Sequence, residues 1–456
     1  MIVDKLREEC AVFGISIDTT EAAEITYGAL TILQHRGQDS SGIATAVDED
    51  IQHYKRFGLA CDVFTDAVLA KQPKANVAIG HNKYSVAGQD SVHTIQPVVV
   101  EFYSGRIAVA YNGNITNLDL LKEKLNDSGA VYRKNSNVDI LAHFLVYHIR
   151  EMKDYTKGVI EAVKQLEGAF SLLVLCADGK IIAVRDPNGY RPLCLGENES
   201  GVVVSSESCA IDGCLFNFIR DVKPGEIITI KDGKIIEEKI ILTKKTDGIC
   251  IFEYIYFARP DSVIDGLSVY EARYNLGKIL AEEHPIDADM VCGVPDTGLE
   301  AAMGYSAKSG IPLASGIIRN RYVGRSFIYP TQDQRDYAVR LKLNPITAIV
   351  KDKRIVLIDD SIVRGTTATN MVRLLKNAGV LEVHLRLSSP PFYHTCHYGT
   401  DIGDEKNLIA NRMSMEEMRR KIGADSLGFI SFDGLKRACE GCVLPFCTKC
   451  FTGNKI

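Results

Sequence analysis

The chain has 456 residues, enough for two or three domains. Its 46% hydrophobic and 24% charged residues are typical of a globular protein, and a net charge of −5 excludes the general electrostatic footprint of a nucleic-acid-binding protein. No apolar run approaches the roughly 20 residues that span a bilayer, and the charged segment Met1–Glu9 lacks the apolar core of a secretory signal. Thirteen cysteines in such a chain argue against a disulfide framework, so we expect reduced thiols and a cytoplasmic location.

The first 240 residues predict antiparallel strands mixed with helices. A strand-like run, Ala11–Ile17, follows Cys10. Two Asp-Gly pairs, Asp178-Gly179 and Asp232-Gly233, each separate two strand-like runs and therefore predict hairpins. Two more predicted strands are Arg106–Ala110 and Gly201–Ser205, and the predicted helices are Glu21–His35, Leu118–Asp127, Val138–Arg150 and Val159–Leu166.

The pattern changes after the polar segment 243–248, which predicts a connector between domains. Beyond it, strand-like runs alternate with helical runs, which predicts a parallel α/β sheet. The predicted strands are Met290–Val294, Ile355–Ile358 and Glu382–Leu387, and the predicted helices are Val269–Glu283, Leu299–Ser309 and Ala368–Ala378. We divide the chain into residues 1–9, residues 10–243, and residues 249–456 with a cysteine-rich tail.

The most informative stretch follows the buried strand Ile355–Ile358. It reads Asp359, Asp360, a small polar loop and then a helix. Glycine in that loop lets the backbone approach a ligand closely, and the helix N-terminus presents positive potential to a phosphate. The two carboxylates suit ribose hydroxyls or a bound Mg²⁺. This string resembles the ribose-phosphate signature of phosphoribosyltransferases, which implies phosphoribosyl pyrophosphate (PRPP) as the ligand. The implied phosphate cradle is Arg364, Gly365, Thr366 and Thr367.

Two other segments of this half match the same resemblance. The turn Cys292–Gly298 is the equivalent of one that binds pyrophosphate, and the cation-rich segment Arg319–Ile328 looks like a lid over it. The resemblance implies that Arg321 and Arg325 bind PRPP. It also implies one Mg²⁺ per subunit, held by Thr297, Asp359 and Asp360.

The first half resembles the class II glutamine amidotransferases, which have an N-terminal-nucleophile fold with two sheets between helical layers. The matching segments are Cys10–Ile15, residues 33–42, Gly80-His81, Gln96-Pro97 and Asn112-Gly113-Asn114. The resemblance implies that Cys10 is the nucleophile and that Met1–Glu9 is a propeptide. Its removal frees the α-amine of Cys10, which titrates near pH 8 and can serve as the general base. Asn112 and Gly113 would hold the oxyanion.

Three positions depart from the pattern of that family. Lys83 stands where Arg grips the substrate carboxylate, and Lys lacks the bidentate fork. Tyr111 stands where the family has His, and Asn137 where it has the Asp that pairs with the substrate ammonium. Either Asn137 accepts a hydrogen bond from that ammonium, or Asp139 supplies the charge in a different register.

The two halves in this order resemble the glutamine PRPP amidotransferases, or amidophosphoribosyltransferases, of the type with a propeptide and an iron–sulfur cluster. The resemblance implies that ammonia from glutamine is transferred to PRPP, giving 5-phosphoribosylamine, pyrophosphate and glutamate in the first committed step of purine synthesis. It further implies purine nucleotides as feedback inhibitors and a homo-oligomer. Neither nucleic acid nor a membrane is an expected partner.

Cysteines cluster in the tail as Cys439-x2-Cys442 and Cys447-x2-Cys450. The four residues between the pairs are too few for the usual zinc ribbon. The spacing of Cys442, Cys447 and Cys450 matches plant-type ferredoxins and would suggest a [2Fe–2S] cluster. The family resemblance implies a [4Fe–4S] cluster instead, with the ligands Cys250, Cys396, Cys447 and Cys450, and leaves Cys439 and Cys442 unassigned.

Two alternative functions remain at this point. Lys83, Tyr111 and Asn137 are compatible with an ammonia-dependent enzyme whose glutaminase has weakened. The chain could also be a non-catalytic PRPP- or redox-sensing regulator. A DNA-binding regulator would need a basic face and a winged-helix or similar module, and the sequence contains neither.

Overall fold

A computed structural model describes residues 10–84, 92–133, 136–241, 248–320 and 343–453. The predicted propeptide, residues 243–247 of the predicted connector and the predicted lid arginines Arg321 and Arg325 lie outside these ranges. In the described part of the chain, no helix is both long and apolar enough to cross a membrane.

The first half is built on two antiparallel sheets. Its strands in chain order are β1 (Ala11–Ile17), β2 (Ser40–Val47), β3 (Asp50–Phe57), β4 (Val77–Lys83), β5 (Val98–Phe102), β6 (Gly105–Ile115), β7 (Gly168–Cys176), β8 (Ile181–Arg185), β9 (Cys194–Asn198), β10 (Gly201–Ser205), β11 (Asn217–Asp221), β12 (Glu226–Lys231) and β13 (Lys234–Ile240). One sheet has the order β11-β9-β10-β1-β4-β2-β3, and the other has the order β13-β12-β8-β7-β6-β5. The predicted antiparallel architecture is therefore confirmed.

Helices cover the outer faces of both sheets. They are α1 (Ala22–Ile32), α2 (Ala60–Val63), α3 (Asp66–Leu69), α4 (Leu118–Asp127), α5 (Asn137–Met152), α6 (Tyr155–Val163) and α7 (Ser208–Gly213). Val12 and Leu173 belong to a core between the two sheets, whereas Phe13 packs with α1 and Phe170 packs with α5 in two outer cores. Alternate residues of one strand face opposite sides, so each sheet contributes to two cores. This is the αββα layering that the resemblance implies.

The two Asp-Gly hairpins form as predicted. β7 pairs with β8 across Gly179, and β12 pairs with β13 across Asp232-Gly233. Asp232 and Gly233 both have positive φ, 49° and 69°, which is the conformation that a type I′ turn requires.

One helix lies earlier than predicted. The apolar spacing predicts Val159–Leu166, but α6 spans Tyr155–Val163. Its start is set by Asp154, whose side chain accepts a hydrogen bond from Lys157 N at 2.8 Å. The N-cap, not the first apolar residue, decides where this helix begins.

The second half is a parallel sheet covered on both faces. Its longer helices are α8 (Val269–Glu283), α9 (Leu299–Ser309), α11 (Thr366–Asn377), α12 (Met415–Ile422) and α13 (Phe432–Ala438), and its short ones are α10 (Thr347–Val350) and α14 (Lys449–Thr452). The strands of the sheet are β17 (Met290–Gly293), β20 (Arg354–Asp359), β21 (Glu382–Leu387) and β22 (Ser426–Phe429), in the order β17-β20-β21-β22. Val356 packs towards α8, and Leu357 packs towards α11. Burial on both faces explains the continuous apolar run of β20.

Short strand pairs and one irregular helix complete this half. The short strands are β14 (Ile249–Cys250), β15 (Val263–Ile264), β16 (Leu267–Ser268), β18 (Ile317–Arg319), β19 (Leu343–Pro345) and β23 (Phe446–Cys447). β14 pairs in parallel with β23, so the tail returns to the start of the domain. A π-helical turn, Glu253–Phe257, follows β14 and lies next to the first half.

Candidate functional site

Cys10 lies at the head of β1, beside the end of β4. Its Sγ approaches the carbonyl oxygen of Tyr84 at 3.9 Å. Burial raises the pKa of the thiol above its usual value, although Tyr84, Lys83 and Arg36 act in the opposite direction. The thiol is therefore protonated at neutral pH and needs a base to become a nucleophile.

Arg36 links Cys10 to both halves of the molecule. Its Nε donates to the carbonyl oxygen of Cys10 at 3.4 Å. Its two terminal nitrogens donate to Glu253 at 2.9 and 2.8 Å, and Nη1 also donates to Glu207 at 2.5 Å. All three charged side chains are fully buried. Burial disfavours the charged guanidinium, but the two carboxylates outweigh it and raise the pKa of Arg36.

Asn112 and Gly113 form a buried polar step in β6. The Asn112 side chain is fully buried, and neither of its amide atoms has a hydrogen-bond partner among the described residues. Gly113 has φ +122°, and a Cβ there would lie 2.0 Å from Ala169 O, so only glycine fits. A buried amide left unpaired in this way can receive a ligand oxygen.

The backbone next to Asn112 is held by side chains from two other segments. Tyr111 N donates to Gln96 Oε1 at 2.7 Å, and Gln96 Nε2 donates to Tyr111 O at 3.3 Å. His81 Nε2 also lies 3.2 Å from Tyr111 O. These contacts fix the strand that carries the candidate oxyanion groups.

The residues expected to recognise glutamine differ in how they are engaged. Lys83 is buried at the end of β4 and donates from Nζ to Thr94 Oγ1. Asp139 is buried and accepts hydrogen bonds from Arg133 N at 2.6 Å and from Arg133 Nη1 at 3.2 Å. Asn137, the first residue of α5, is half-buried, and its side chain makes no hydrogen bond within the described ranges. Of the two alternatives, Asn137 is therefore the residue whose side chain is not already hydrogen-bonded to another described residue.

Those predicted residues of the PRPP and Mg²⁺ site that the structure describes lie together at the carboxyl end of the parallel sheet. Asp359 is the last residue of β20 and Asp360 follows it, and both are almost fully buried. Thr297, in the turn between the neighbouring strand β17 and α9, donates from its hydroxyl to Asp360 Oδ2. One hydroxyl and two carboxylates are oxygen donors of the kind that Mg²⁺ takes. Their chemistry therefore fits the implied ion.

The loop after Asp360 leads directly into a helix N-terminus. Gly365 precedes α11 with φ +88°, and a Cβ at this position would lie 2.8 Å from the side chain of Ile409. Thr366 and Thr367 open the helix, so their amides belong to its unpaired first turn. Arg364 immediately precedes them. This geometry can hold a phosphate.

One cation of the predicted lid segment is described, and sequence reasoning did not select it. Arg319, at the end of β18, pairs with Asp296 in the turn that carries Thr297. Both side chains are substantially exposed, so this ion pair lies at the surface.

The four cysteines named as cluster ligands come from three separate segments that converge. Cys250 and Cys447 are paired across β14 and β23. The amides of Tyr393 and His394, shortly before Cys396, donate to Cys450 O, both at 3.1 Å. Burial raises the pKa of Cys250 to about 12. Arg191 acts against this shift, whereas the neighbouring Cys447 and Cys396 add to it.

These thiols are gathered but do not form a closed site for a single ion. Within the described ranges, no three His, Cys, Asp or Glu side chains are arranged to hold one metal ion. An iron–sulfur cluster takes four Cys thiolates, so the chemistry of this set of donors matches the implied cluster. Cys439 and Cys442 stand apart from this set, and Cys442 Sγ lies 3.3 Å from Tyr254 OH.

The sequence analysis did not identify the residues that hold the candidate catalytic groups in place. Arg36 and Gln96 lie within quoted motif segments, but nothing in the sequence indicates their partners. Glu207 and Glu253 are 171 and 217 residues from Arg36. A charged residue inside an otherwise apolar environment, as Glu253 is between Phe252 and Tyr254, is the signal that could have identified one of them.

Comparison with known proteins covers both halves. A family model described as a glutamine amidotransferase domain matches residues 81–213, and one described as a phosphoribosyl transferase domain matches residues 268–388. The amidophosphoribosyltransferase of Methanocaldococcus jannaschii is 43% identical over 460 residues, covering 98% of this chain and 97% of that relative. Amidophosphoribosyltransferase 1, chloroplastic, of Arabidopsis thaliana is 44% identical over 454 residues, covering 99% of this chain and 79% of that relative.

A solved structure agrees with these relatives. Glutamine PRPP amidotransferase from B. subtilis, complexed with ADP and GMP, superposes with a TM-score of 0.89 at 41% identity, covering 97% of this chain and 96% of that one. The similarity extends through both halves and through the junction between them. The chain therefore belongs to the amidophosphoribosyltransferase family, the glutamine-dependent PRPP amidotransferases of the first step of purine biosynthesis.

Proposed function

We propose that this chain makes 5-phosphoribosylamine from PRPP, with glutamine hydrolysed at Cys10 and the ammonia used at the Asp359–Thr367 site. The observation that carries the glutaminase assignment is the Asn112 amide, which is fully buried without a hydrogen-bond partner among the described residues. An unpaired buried amide is costly unless a ligand completes it. A glutamine-derived oxyanion is the ligand that a neighbouring thiol would generate.

In the glutaminase step, the freed α-amine of Cys10 takes the thiol proton, and Sγ attacks the side-chain amide carbon of glutamine. Asn112 Nδ2 and the Gly113 amide stabilise the oxyanion that forms. The protonated amine returns its proton to the departing ammonia, which leaves a glutamyl thioester. Water then releases glutamate and restores the thiol.

In the second step, ammonia attacks C1 of PRPP and pyrophosphate leaves. Arg364, Gly365, Thr366 and Thr367 would cradle the 5-phosphate, while Asp359 and Asp360 would accept hydrogen bonds from the ribose hydroxyls. Thr297, Asp359 and Asp360 would hold Mg²⁺, which when bound neutralises charge on pyrophosphate. Arg321 and Arg325 would add positive charge there.

The cysteine set is assigned to a [4Fe–4S] cluster with Cys250, Cys396, Cys447 and Cys450 as ligands. The convergence of three segments at partly buried thiols supports it. Anaerobically purified protein should be brown and contain about four irons per chain. The Cys396→Ser variant should lose the colour, whereas Cys439→Ser should keep it. One zinc per chain and no iron would overturn this assignment.

An ammonia-dependent enzyme is a second candidate, and Lys83 favours it. Lys83 cannot form the bidentate contact of Arg with a carboxylate, and its Nζ is already engaged with Thr94. The two candidates differ in one ratio. The glutamine-dependent enzyme should use glutamine with a higher kcat/KM than ammonia, and the weakened form should show the reverse.

The assignment of Cys10 is tested by intact mass together with activity. Phosphoribosylamine formation from PRPP should be measured with glutamine and separately with ammonia on protein of known N-terminus. Protein that begins at Cys10 should use both nitrogen sources, because its α-amine is free. Full use of glutamine by protein that retains Met1 would contradict the proposed base.

The same proposal extends to location and ligands. None of the thirteen cysteines, all of which lie in the described ranges, forms a disulfide, as expected in a reducing compartment such as the cytoplasm. The B. subtilis relative binds ADP and GMP, so purine nucleotides are the proposed feedback ligands of this chain. We also propose a homo-oligomer.

A further inference from the structure

We infer that residues 397–399 of the phosphoribosyltransferase half are positioning residues for the oxyanion site of the glutaminase half. The inference rests on the proposed oxyanion role of Asn112 and Gly113. These three residues are called the 397–399 loop below. They follow Cys396 and are more than 280 positions away from β6 in the sequence.

The 397–399 loop directly contacts the two residues after Asn112. Asn114 Nδ2 donates to the carbonyl oxygen of His397 at 2.9 Å. A Cβ built on Gly399 would lie 3.4 Å from both Cα and the carbonyl carbon of Gly113, so any side chain at position 399 would touch the Gly113 backbone. The neighbouring strand β7 packs more closely still, because a Cβ on Gly113 would lie 2.0 Å from Ala169 O. Gly113 therefore lies close to both β7 and the 397–399 loop.

Contacts from both halves hold the loop itself. The ring of Tyr398 stacks on Tyr190 of the glutaminase half, with centroids 4.3 Å apart and an interplanar angle of 22°. Arg191 donates to Tyr398 O. On the side of the tail, Lys449 Nζ lies 5.0 Å from the centroid of the Tyr398 ring and 3.2 Å from its hydroxyl.

The sulfur of Cys396 also holds the loop, because it accepts a hydrogen bond from Tyr398 N at 3.3 Å. The tail that carries Cys447 and Cys450 and the segment that carries Cys396 thus meet at Tyr398. Tyr398 in turn lies one residue from each contact with β6. We therefore expect order in the cysteine tail to reach the oxyanion site through the backbone and the side chain of Tyr398.

The consequence is specific to the transition state. Oxyanion donors act only when they lie at hydrogen-bond distance from the developing charge, and displacements of about 1 Å can lower a rate about 100-fold. We expect the same donors to contribute much less to binding of the neutral amide carbonyl in the ground state. Loss of the loop contacts should therefore lower kcat for glutamine hydrolysis and leave KM unchanged.

The test compares Tyr398→Ala and Asn114→Ala with matched controls. Tyr398→Phe keeps the stacked ring, and Tyr393→Ala removes a partly exposed tyrosine side chain of the same segment. We expect Tyr398→Ala to lower glutaminase kcat at least tenfold, with KM for glutamine and ammonia-dependent synthesis both within twofold of wild type. Asn114→Ala should lower kcat severalfold, and both controls should stay within twofold. The rate of Cys10 alkylation by iodoacetamide should not change in any of the four variants, because the nucleophile is untouched.

Two results would overturn the inference. The first is a glutaminase kcat of the Tyr398→Ala enzyme within twofold of wild type. If Tyr398→Ala does not fold, the same result for Asn114→Ala has the same meaning. The other is an equal loss of ammonia-dependent synthesis, which would mean a merely structural role. Asn112→Ala separates this inference from the proposed function. If kcat falls strongly in Asn112→Ala but not in Tyr398→Ala or Asn114→Ala, only the inference is wrong. If kcat is unchanged in Asn112→Ala, both the oxyanion assignment and the inference are wrong.

Discussion

At the residue scale, the side chains around Cys10 are held in the protonation states that burial imposes. His81 is fully buried next to Tyr111 O, and burial lowers its pKa to about 3. The imidazole is therefore neutral over the whole working range of the enzyme and can fix the Tyr111 carbonyl through a single tautomer. It cannot act as the base for Cys10, because its proton affinity is far too low. This leaves the α-amine as the group whose titration suits the reaction.

The depressed pKa of His81 predicts an acid sensitivity. In the unfolded chain His81 binds a proton below about pH 6.5, whereas in the folded protein it does so only near pH 3. Between these values the unfolded state binds more protons, so stability falls as the pH is lowered. From pH 7 to pH 4 the wild type should lose about 3 kcal/mol more free energy of unfolding than His81→Gln. Urea titrations of both proteins test this, and parallel pH profiles would contradict it.

At the element scale, capping groups and buried runs decide where the elements begin and end. Asp154 starts α6 by accepting a hydrogen bond from Lys157 N, and β20 ends where its apolar run meets Asp359. Both signals are local, so they can be read from the sequence when they are looked for.

The cap of α6 gives a prediction at this scale. Asp154→Ala leaves an unpaired amide in the first turn and should lower the free energy of unfolding by about 1 kcal/mol. Asp154→Asn keeps a hydrogen-bond acceptor, so it should lower the free energy of unfolding by no more than a few tenths of a kcal/mol. Chemical denaturation measures both variants. Equal destabilisation by the two would show that the carboxylate charge, not the cap, is what matters at this position.

The difference between local and long-range contacts explains how much of the fold and of the site the sequence could predict. The β20–loop–α11 unit, the two Asp-Gly hairpins and the αββα layering follow from local patterns or from the family resemblance, and the structure confirms them. The choice between Asn137 and Asp139 stayed open, because only the fold reveals that Asp139 is already bonded to Arg133. The Tyr398 contacts could not be predicted either, since no local pattern relates Tyr398 to Asn114.

At the scale of the whole molecule, buried charge pairs join the two halves. Arg36 pairs with Glu253, and Arg185 pairs through two hydrogen bonds of 2.8 and 2.7 Å with Asp265. Each pair has one partner in each half, and each side chain is at most 3% exposed. Separating the halves would expose these charges one by one without their partners. The interface is therefore expected to open only with extensive unfolding.

Removing one charge from this junction should be severe. Arg36→Met keeps the approximate volume of the side chain but removes the buried guanidinium that pairs with both Glu207 and Glu253. The free energy of unfolding should fall by about 3–5 kcal/mol, the usual effect of leaving a buried charge unpaired. Arg420→Met, at a position with a 67% exposed side chain, is the matched control and should change it by less than about 0.5 kcal/mol. An Arg36→Met protein as stable as that control would contradict the role of the junction.

The central claim is that two separate sites, one in each half, perform two separable reactions. The most direct measurement is a cross of two variants with two assays, using Cys10→Ala and the double variant Asp359→Asn with Asp360→Asn. Glutamine hydrolysis and ammonia-dependent phosphoribosylamine synthesis are measured for each. We predict that Cys10→Ala abolishes hydrolysis and retains synthesis from ammonia, whereas the double variant abolishes synthesis and retains basal hydrolysis. Loss of both activities in folded Cys10→Ala protein, or retained synthesis in the double variant, would contradict the account.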